Sequence, residues 1–283
     1  EVTSLRGIVS VRNDKIVPLA SGRENLETPI FNEYWTSAKL AYIFDNTRNV
    51  ALNIRYGTRF KIFAEHYQMV FSEQEDSESS DLTVLGFDFR HYQKLHREII
   101  YVARAAGSRS FGSNPLIYYM GGVDEWWKSD IFDRSTPIDF TRNYGFQALA
   151  ANMRGFLQNI RNGNNFMLIN QEIRVPVFSY FINRPIQSDF LRDFQIVPFG
   201  DIGTAWAGQS PYAEDNPLNN ETRVNGPITV TYENINNPVV GGFGFGLRST
   251  LLGYFVRADW AWGVENGQVS EKAMFIFSLS LDI

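Results

Sequence analysis

Alternation of apolar and polar residues, with charges in the middle of the polar face, most narrows what this chain can become. Near the C-terminus Phe275, Phe277, Leu279, Leu281 and Ile283 fall on one face of an extended segment, and Ile276, Ser278, Ser280 and Asp282 on the other. Residues 253–263 set Val256, Ala258, Trp260 and Trp262 against Arg257 and Asp259. Residues 84–92 set Leu85, Phe87 and Phe89 against Asp88, Arg90 and Tyr92. Period two is the signature of a strand. A soluble sandwich also alternates, with its apolar face packed inward. In this chain the polar face carries mid-strand charges repeatedly, at Asp88, Arg90, Glu172, Arg174, Asp201, Arg257 and Asp259. In a transmembrane barrel such residues face the lumen while the apolar face meets lipid. Trp35, Tyr56, Tyr101, Trp206, Tyr254 and Trp262 lie near strand ends, where interfacial aromatic belts form.

Turn signals divide the chain into about ten strands. They lie near 3–11, 35–46, 59–71, 81–93, 97–107, 165–177, 193–206, 240–252, 253–264 and 272–283. The segment 49–58 offers a further short strand. Short connections at 46–49, 94–97 and near Gly253 alternate with long polar ones at 12–33, 72–80, 108–164 and 207–239. Outer-membrane barrels have this asymmetry, with short periplasmic turns and long extracellular loops. The connection at 178–192 fits less well, since a short turn is expected there. No linker or internal repeat divides residues 1–283, so the expectation is one all-β domain, an antiparallel transmembrane β-barrel. No apolar run approaches the roughly 18 residues of a membrane-spanning helix. The chain starts Glu1-Val2-Thr3 without a signal peptide, as expected for a mature form, a fragment or an engineered chain.

Several chemistries are disfavoured. The net charge is -5 and no Lys/Arg-rich run exists, which gives no basis for nucleic-acid binding. The absence of cysteine excludes disulfides and thiolate metal sites. His66, His91 and His96 form no HxxxH or HExxH spacing, so they read as polar strand residues. G-x-S-x-G, P-loop and dinucleotide fingerprints do not occur. The expectation is therefore no metal, no cofactor and no enzyme. Gly242, Gly244 and Gly246 have period two, which suits a strand with a small lumenal face open to close approach by a loop. The acidic run 73–78 reads as a solvated loop; it lacks the EF-hand pattern.

One constellation remains. Asn170, Glu172, Arg174 and Pro176 share a strand face, and Asp201 alternates with Ile202 on the next strand. Two lumenal acids repel unless a cation joins them. Arg154, on the connection just upstream, offers a planar fork of donors. Gly155 permits a close approach to the wall, and Phe156 is placed to pack under the loop. Unrelated strand acids and a surface arginine remain the alternative on spacing alone.

Arg154-Gly155-Phe156 resembles the V-R-G-[FY] loop motif of the BamA-type superfamily of outer-membrane assembly and translocation barrels, with Met153 in place of the first Val. Phe199-Gly200-Asp201-Ile202-Gly203 is similar to that family's F-x-D-x-G strand, and Gln171-Glu172-Ile173-Arg174-Val175-Pro176 to its E-[IL]-R-x-P strand. Asp45-Asn46-Thr47-Arg48 with Gly57 resembles its D-x-R…G periplasmic turn. Tyr118-Tyr119-Met120-Gly121-Gly122 resembles its Y-x-[LM]-G-G segment. The resemblance runs in order from about Trp35 to Ile283.

It implies a barrel of about 16 strands, of which this chain would supply about the last ten. It also implies an extracellular loop folded into the lumen and locked by Arg154, Gly155 and Phe156 to Glu172, Asp201 and the Gly203 strand. The implied setting is integral to a bacterial outer membrane, among its lipid. Unfolded outer-membrane or secreted polypeptide would be the substrate, with accessory lipoproteins as partners. Residues 123–153 depart from the family pattern by separating Gly122 from Arg154, with Trp126 and Trp127 inside the insertion. Ile283 stands where a terminal Phe or Trp is commoner. Competing readings are a barrel that anchors or exports a fused soluble domain such as a patatin-type lipase, a passive porin, and a soluble sandwich.

Overall fold

A computed structural model describes residues 2–16, 31–73, 79–128, 130–138, 144–214, 216–225, 228–233 and 236–279. The fold is all-β. The wall is one antiparallel sheet in which strands follow chain order: β1 (Val2–Ile16), β2 (Phe31–Asp45), β4 (Ile54–Ser72), β5 (Asp81–His96), β6 (Ile99–Gly112), β10 (Asn165–Pro176), β11 (Gln195–Trp206), β14 (Val240–Leu251), β15 (Tyr254–Glu265) and β17 (Met274–Ser278). Short β3 (Arg48–Ala51) and β16 (Gln268–Val269) pair with β4 and β15 and bring the sheet to 12 strands. Among the described residues β1 and β17 do not pair, so this sheet has two edges.

All ten expected strands occur. β1 runs on to Ile16 and β2 begins at Phe31, so part of the expected 12–33 connection is strand. The acidic residues 74–78 and the last residues of the expected final strand, Leu281 and Ile283 included, lie outside the described residues. The 178–192 connection is compact because it coils into α1 (Val177–Phe181) and α2 (Asp189–Arg192). Phe178 and Phe190 of these helices pack on Phe194, with ring centroids 5.5 and 5.9 Å apart.

A meander sends successive connections to alternate ends, so every long one emerges at the same end. Among the described residues, two of them carry strands of their own. Residues 113–164 hold β7 (Leu116–Met120), β8 (Phe146–Leu149) and β9 (Arg161–Gly163) in a small sheet of order β8-β7-β9. Residues 207–239 hold the hairpin β12 (Asn220–Asn225) and β13 (Ile228–Glu233).

The two faces of the wall are inverted relative to a water-soluble sheet. Ile62 is 56 % exposed, and Leu40, Leu85, Phe87, Met167, Ile202 and Phe243 are exposed with it, whereas Glu172 on the other face is 1 % exposed. The exposed face carries in-register aromatic pairs: Phe243 stacks on Trp262 at 6.0 Å, and Phe245 on Trp260 at 5.5 Å, which in turn meets Phe275 at 5.1 Å. Such cross-strand pairs contribute roughly 0.2–1 kcal/mol each and fix the register. The opposite face holds ion pairs, among them Lys39–Glu65 at 2.6 Å and Arg104–Asp88 at 2.8 Å. Trp35 departs from the expected aromatic belt. It is buried on the charged face, edge-on to Phe146 of β8 at 5.4 Å.

Candidate functional site

Arg154 reaches the charged face because the loop carrying it is closed at its root. β7 ends at Met120, and the chain leaves after Gly121-Gly122 on the excursion 123–153. Gly122 and Met153 form an antiparallel bridge, with the Met153 N–H donating to the Gly122 carbonyl at 3.0 Å. The Gly122 N–H donates to the Phe156 carbonyl, also at 3.0 Å. The excursion therefore starts and finishes at one point, and Gly-Gly stands beside Arg-Gly-Phe in space despite the insertion between them.

The Arg154 guanidinium donates from Nη1 to Glu172 Oε1 at 2.6 Å, from Nε to Asp201 Oδ2 at 2.7 Å and from Nη2 to Asp201 Oδ1 at 2.7 Å. Its backbone N–H adds a fourth bond, to Asp201 Oδ2 at 3.1 Å. The side-on fork to Asp201 is the strong bidentate geometry that lysine cannot make. All three side chains are at most 2 % exposed. Burial by itself pushes the Arg154 pKa down; the charges of Asp201 and Glu172 outweigh it and hold the group well above the ordinary arginine range.

Register explains why one arginine serves both acids. Asn170 lies directly opposite Asp201, and Glu172 opposite Phe199, so the acids are diagonal neighbours. Phe199 forms the floor between them, its ring centroid 3.7 Å from the guanidinium carbon. Asn170 donates to Asp201 Oδ1 at 2.8 Å and to the loop carbonyl of Asn152 at 2.9 Å. Asn170 and Phe199 belong to the cluster although the sequence assigned them no role there. Strand alternation placed Asn170 on the correct face, and only the register put it opposite Asp201.

Gly155 has φ +93, and an added Cβ would lie 2.8 Å from the Gly263 nitrogen and 2.9 Å from the Trp262 carbonyl carbon. Backbone thus meets backbone where the loop crosses β15. On β14 a methyl at Gly242 would overlap the Arg154 carbonyl oxygen, so this glycine makes room for the loop, whereas a methyl at Gly244 or Gly246 would meet the wall itself, at the Trp260 carbonyl and at the Asp259 and Arg248 side chains. Phe156 is buried with Tyr118, Met120, Met153 and Leu168, its ring against Gly263. Gly203 stands apart from the ions. A Cβ there would meet Leu168 at 2.7 Å and the Met120 side chain at 3.1 Å, so Gly203 makes space for the loop and touches none of the charged groups.

The buried charges continue to the opposite end of the wall. Arg174 donates to Glu172 Oε2 from Nη2 at 2.9 Å and to the Asn53 carbonyl from Nη1 at 2.9 Å, 121 residues away in sequence. Asn53 also donates to Gln195 Oε1 at 3.1 Å, and Gln195 to the Leu52 carbonyl at 3.0 Å. The turn between β3 and β4 is thereby folded over Ile54, Tyr92, Ile100 and Val102. Contacts run unbroken from this turn through Arg174 and Glu172 to Arg154. Next to it, Arg248 pairs with Asp259 at 2.6 Å, both side chains fully buried. Asn53 adopts φ 60, so Asn53→Gly leaves the backbone unstrained and keeps the carbonyl bond to Arg174, while it removes the side-chain Oδ1 that accepts a second bond from Arg174 Nη1 at 3.2 Å. The expected loss is about 1.5–3 kcal/mol, the range for a hydrogen bond to a charged group, read from the urea midpoint in detergent.

No family model and no curated protein matches the chain. Among solved structures the chain is similar to CdiB from Acinetobacter baumannii, at 17% identity and a TM-score of 0.33. The match covers 89% of this chain and 43% of that one, so the chain spans less than half of that structure's length.

Each carboxylate of the cluster is committed to a guanidinium. His66, His91 and His96 hydrogen-bond to Thr83, Thr58 and Tyr180, well apart from one another. The hydrogen bonds of the cluster join Asn152 and Arg154 to side chains of β10 and β11.

Proposed function

We propose that this chain is the wall and inward loop of a β-barrel in a bacterial outer membrane, that the barrel inserts or translocates polypeptide, and that Arg154 locks the loop in place through Glu172 and Asp201. The observation that carries the reading is the inverted wall: apolar and aromatic side chains exposed on one face, buried ions on the other. Only a solvent poorer than water favours that exposed face, because contiguous apolar surface of this extent is costly in water. A lipid bilayer also makes strand pairing obligatory, since no water competes for the backbone groups. The motif resemblance supplies the polypeptide substrate, and the geometry of Arg154 suits it. A loop held by ions inside the wall leaves when those ions are lost and stays otherwise.

The lipid half of the reading is tested by Phe245→Arg. In lipid vesicles the substitution is expected to cost about 2–4 kcal/mol. At a water-exposed site it would cost only the lost stacking on Trp260, about 1 kcal/mol or less, and that outcome would remove the membrane. The transport half is tested in the full-length protein by comparing wild type with Arg154→Ala for polypeptide delivered to the outer membrane or the medium. Loss of delivery with unchanged ion conductance supports translocation. Conductance insensitive to Arg154, with delivery unchanged, would identify a passive porin instead.

A further inference from the structure

Away from the ionic cluster the wall carries a groove on its exposed face, and strand register builds it. Tyr42, Ile62, Phe87, Gly107 and Met167 stand side by side across β2, β4, β5, β6 and β10. Two residues further along each strand, Leu40, Ala64, Leu85, Arg109, Asn165 and Trp206 form the next row, which reaches β11. Every one of these strands has a neighbour on each side in the sheet. Ala64 is small, and Gly107 leaves room for the Phe87 ring to lie against the wall, 2.9 Å from where a Cβ would stand. The rows thus enclose an open, almost wholly apolar groove of about 760 Å³, a volume that suits a small-molecule ligand. Trp206 ends β11 and Asn165 begins β10, at the end of the wall from which the long connections emerge. Tyr42 lies near the opposite end of β2, toward the Asp45 turn. The groove therefore climbs obliquely across the wall.

The upper end of the groove holds a charge. Arg109 is exposed, and among the described residues its side chain makes neither an ion pair nor a hydrogen bond. One row further up, the surface turns polar, with His66 bonded to Thr83 at 2.9 Å. Trp206, in the same row as Arg109, stands at the level where indoles collect at a membrane interface. A cation on a lipid-facing wall is costly, and less so near the interface. An anion beside it removes that cost, and phosphate matches the planar fork of a guanidinium. We propose that the groove binds a membrane lipid with a phosphate headgroup: the Arg109 guanidinium holds the phosphate, and an acyl chain runs from it past Leu85 and Ala64 toward Leu40. The inference rests on the reading of the exposed face as lipid-facing. Charge complementarity selects this occupant. A neutral lipid fills the groove and leaves the cation unanswered, whereas a free phosphate answers the cation and leaves the apolar walls bare.

Native mass spectrometry of the full-length protein in detergent tests the site with phosphatidic acid and diacylglycerol of the same acyl chains, which differ only in the phosphate. The protein is expected to bind phosphatidic acid about tenfold more tightly, the scale of one charge-assisted hydrogen bond. Arg109→Gln is expected to bring the two lipids to equal affinity. Arg184→Gln, exposed on the 178–192 connection, is expected to keep the preference. Ala64→Phe puts a ring into the groove from an exposed position and is expected to lower the affinity for both lipids about tenfold, with the urea midpoint unchanged. Equal affinity of the unsubstituted protein for the two lipids, a preference that survives Arg109→Gln, or lipid affinity unchanged by Ala64→Phe overturns the proposal. Inorganic phosphate is expected not to displace phosphatidic acid; displacement would identify a site for the free ion and overturn the lipid. Phe245 lies outside the groove, on β14, so a full cost of Phe245→Arg in vesicles without any preference for phosphatidic acid counts against the groove alone.

Discussion

Arg154→Ala is expected to destabilise the folded protein by about 3–5 kcal/mol, the cost of breaking a buried ion pair from one side. That is a large part of the roughly 5–15 kcal/mol that holds a typical domain together. The loss falls unevenly. Glu172 keeps the Arg174 guanidinium, which donates to its Oε2 from both Nε and Nη2. Asp201 loses its bidentate guanidinium and keeps the residue-154 backbone N–H and the Asn170 amide. Adding Asp201→Asn to Arg154→Ala is therefore expected to recover more stability than adding Glu172→Gln. Arg154→Lys is expected to fall between wild type and Arg154→Ala, because an ammonium keeps the charge and loses the fork. Urea unfolding in detergent measures all four. Equal recovery by the two second-site changes would refute the diagonal geometry, and a cost near zero for Arg154→Ala would refute the lock.

Gly242→Val should give the next largest effect by a different physical route. Its added methyls would overlap the Arg154 carbonyl, which is backbone and cannot rotate aside as a side chain does. Either the loop lifts or β14 shifts, at about 3 kcal/mol, the upper end of overpacking costs. The loop is the weaker element, so the expected outcome is an intact wall with its loop expelled. Limited proteolysis should then cut within residues 113–164, while the far-ultraviolet circular dichroism keeps its strand signal. Gly200→Ala on β11 is the matched control. An added Cβ there meets nothing within 4 Å, and the expected change is below about 0.5 kcal/mol. A Gly242→Val protein as protease-resistant as wild type would show that the loop does not depend on this contact.

The wall was legible because alternation is a local property. A strand set by Leu85, Phe87 and Phe89 against Asp88 and Arg90 needs no distant partner to declare its two faces. The period-two glycines of β14 were legible for the same reason, as was the face shared by Asn170, Glu172 and Arg174. Trp35 shows the limit of that reasoning. An aromatic near a strand end suits an interfacial belt, and nothing nearby in sequence reveals Phe146 waiting on the charged face. The compact helices of 177–192 were hidden because the aromatic packing that shapes them joins residues on both sides of the connection.

The sequence by itself determined the strands, their faces and the residues available to pair, because side-chain direction follows from backbone period alone. Tertiary structure decided everything that depends on register or on loop closure. It set Asn170 opposite Asp201 and Glu172 opposite Phe199, which makes one guanidinium sufficient for two acids. Pairing Gly122 with Met153 made the long excursion a closed detour and not a break in the motif. It also brought Asn53 to Arg174, and Trp126 to the edge of β17. Those contacts join segments with no local preference for each other. They exist because buried charges and buried backbone polar groups are costly until something, however distant in the chain, satisfies them.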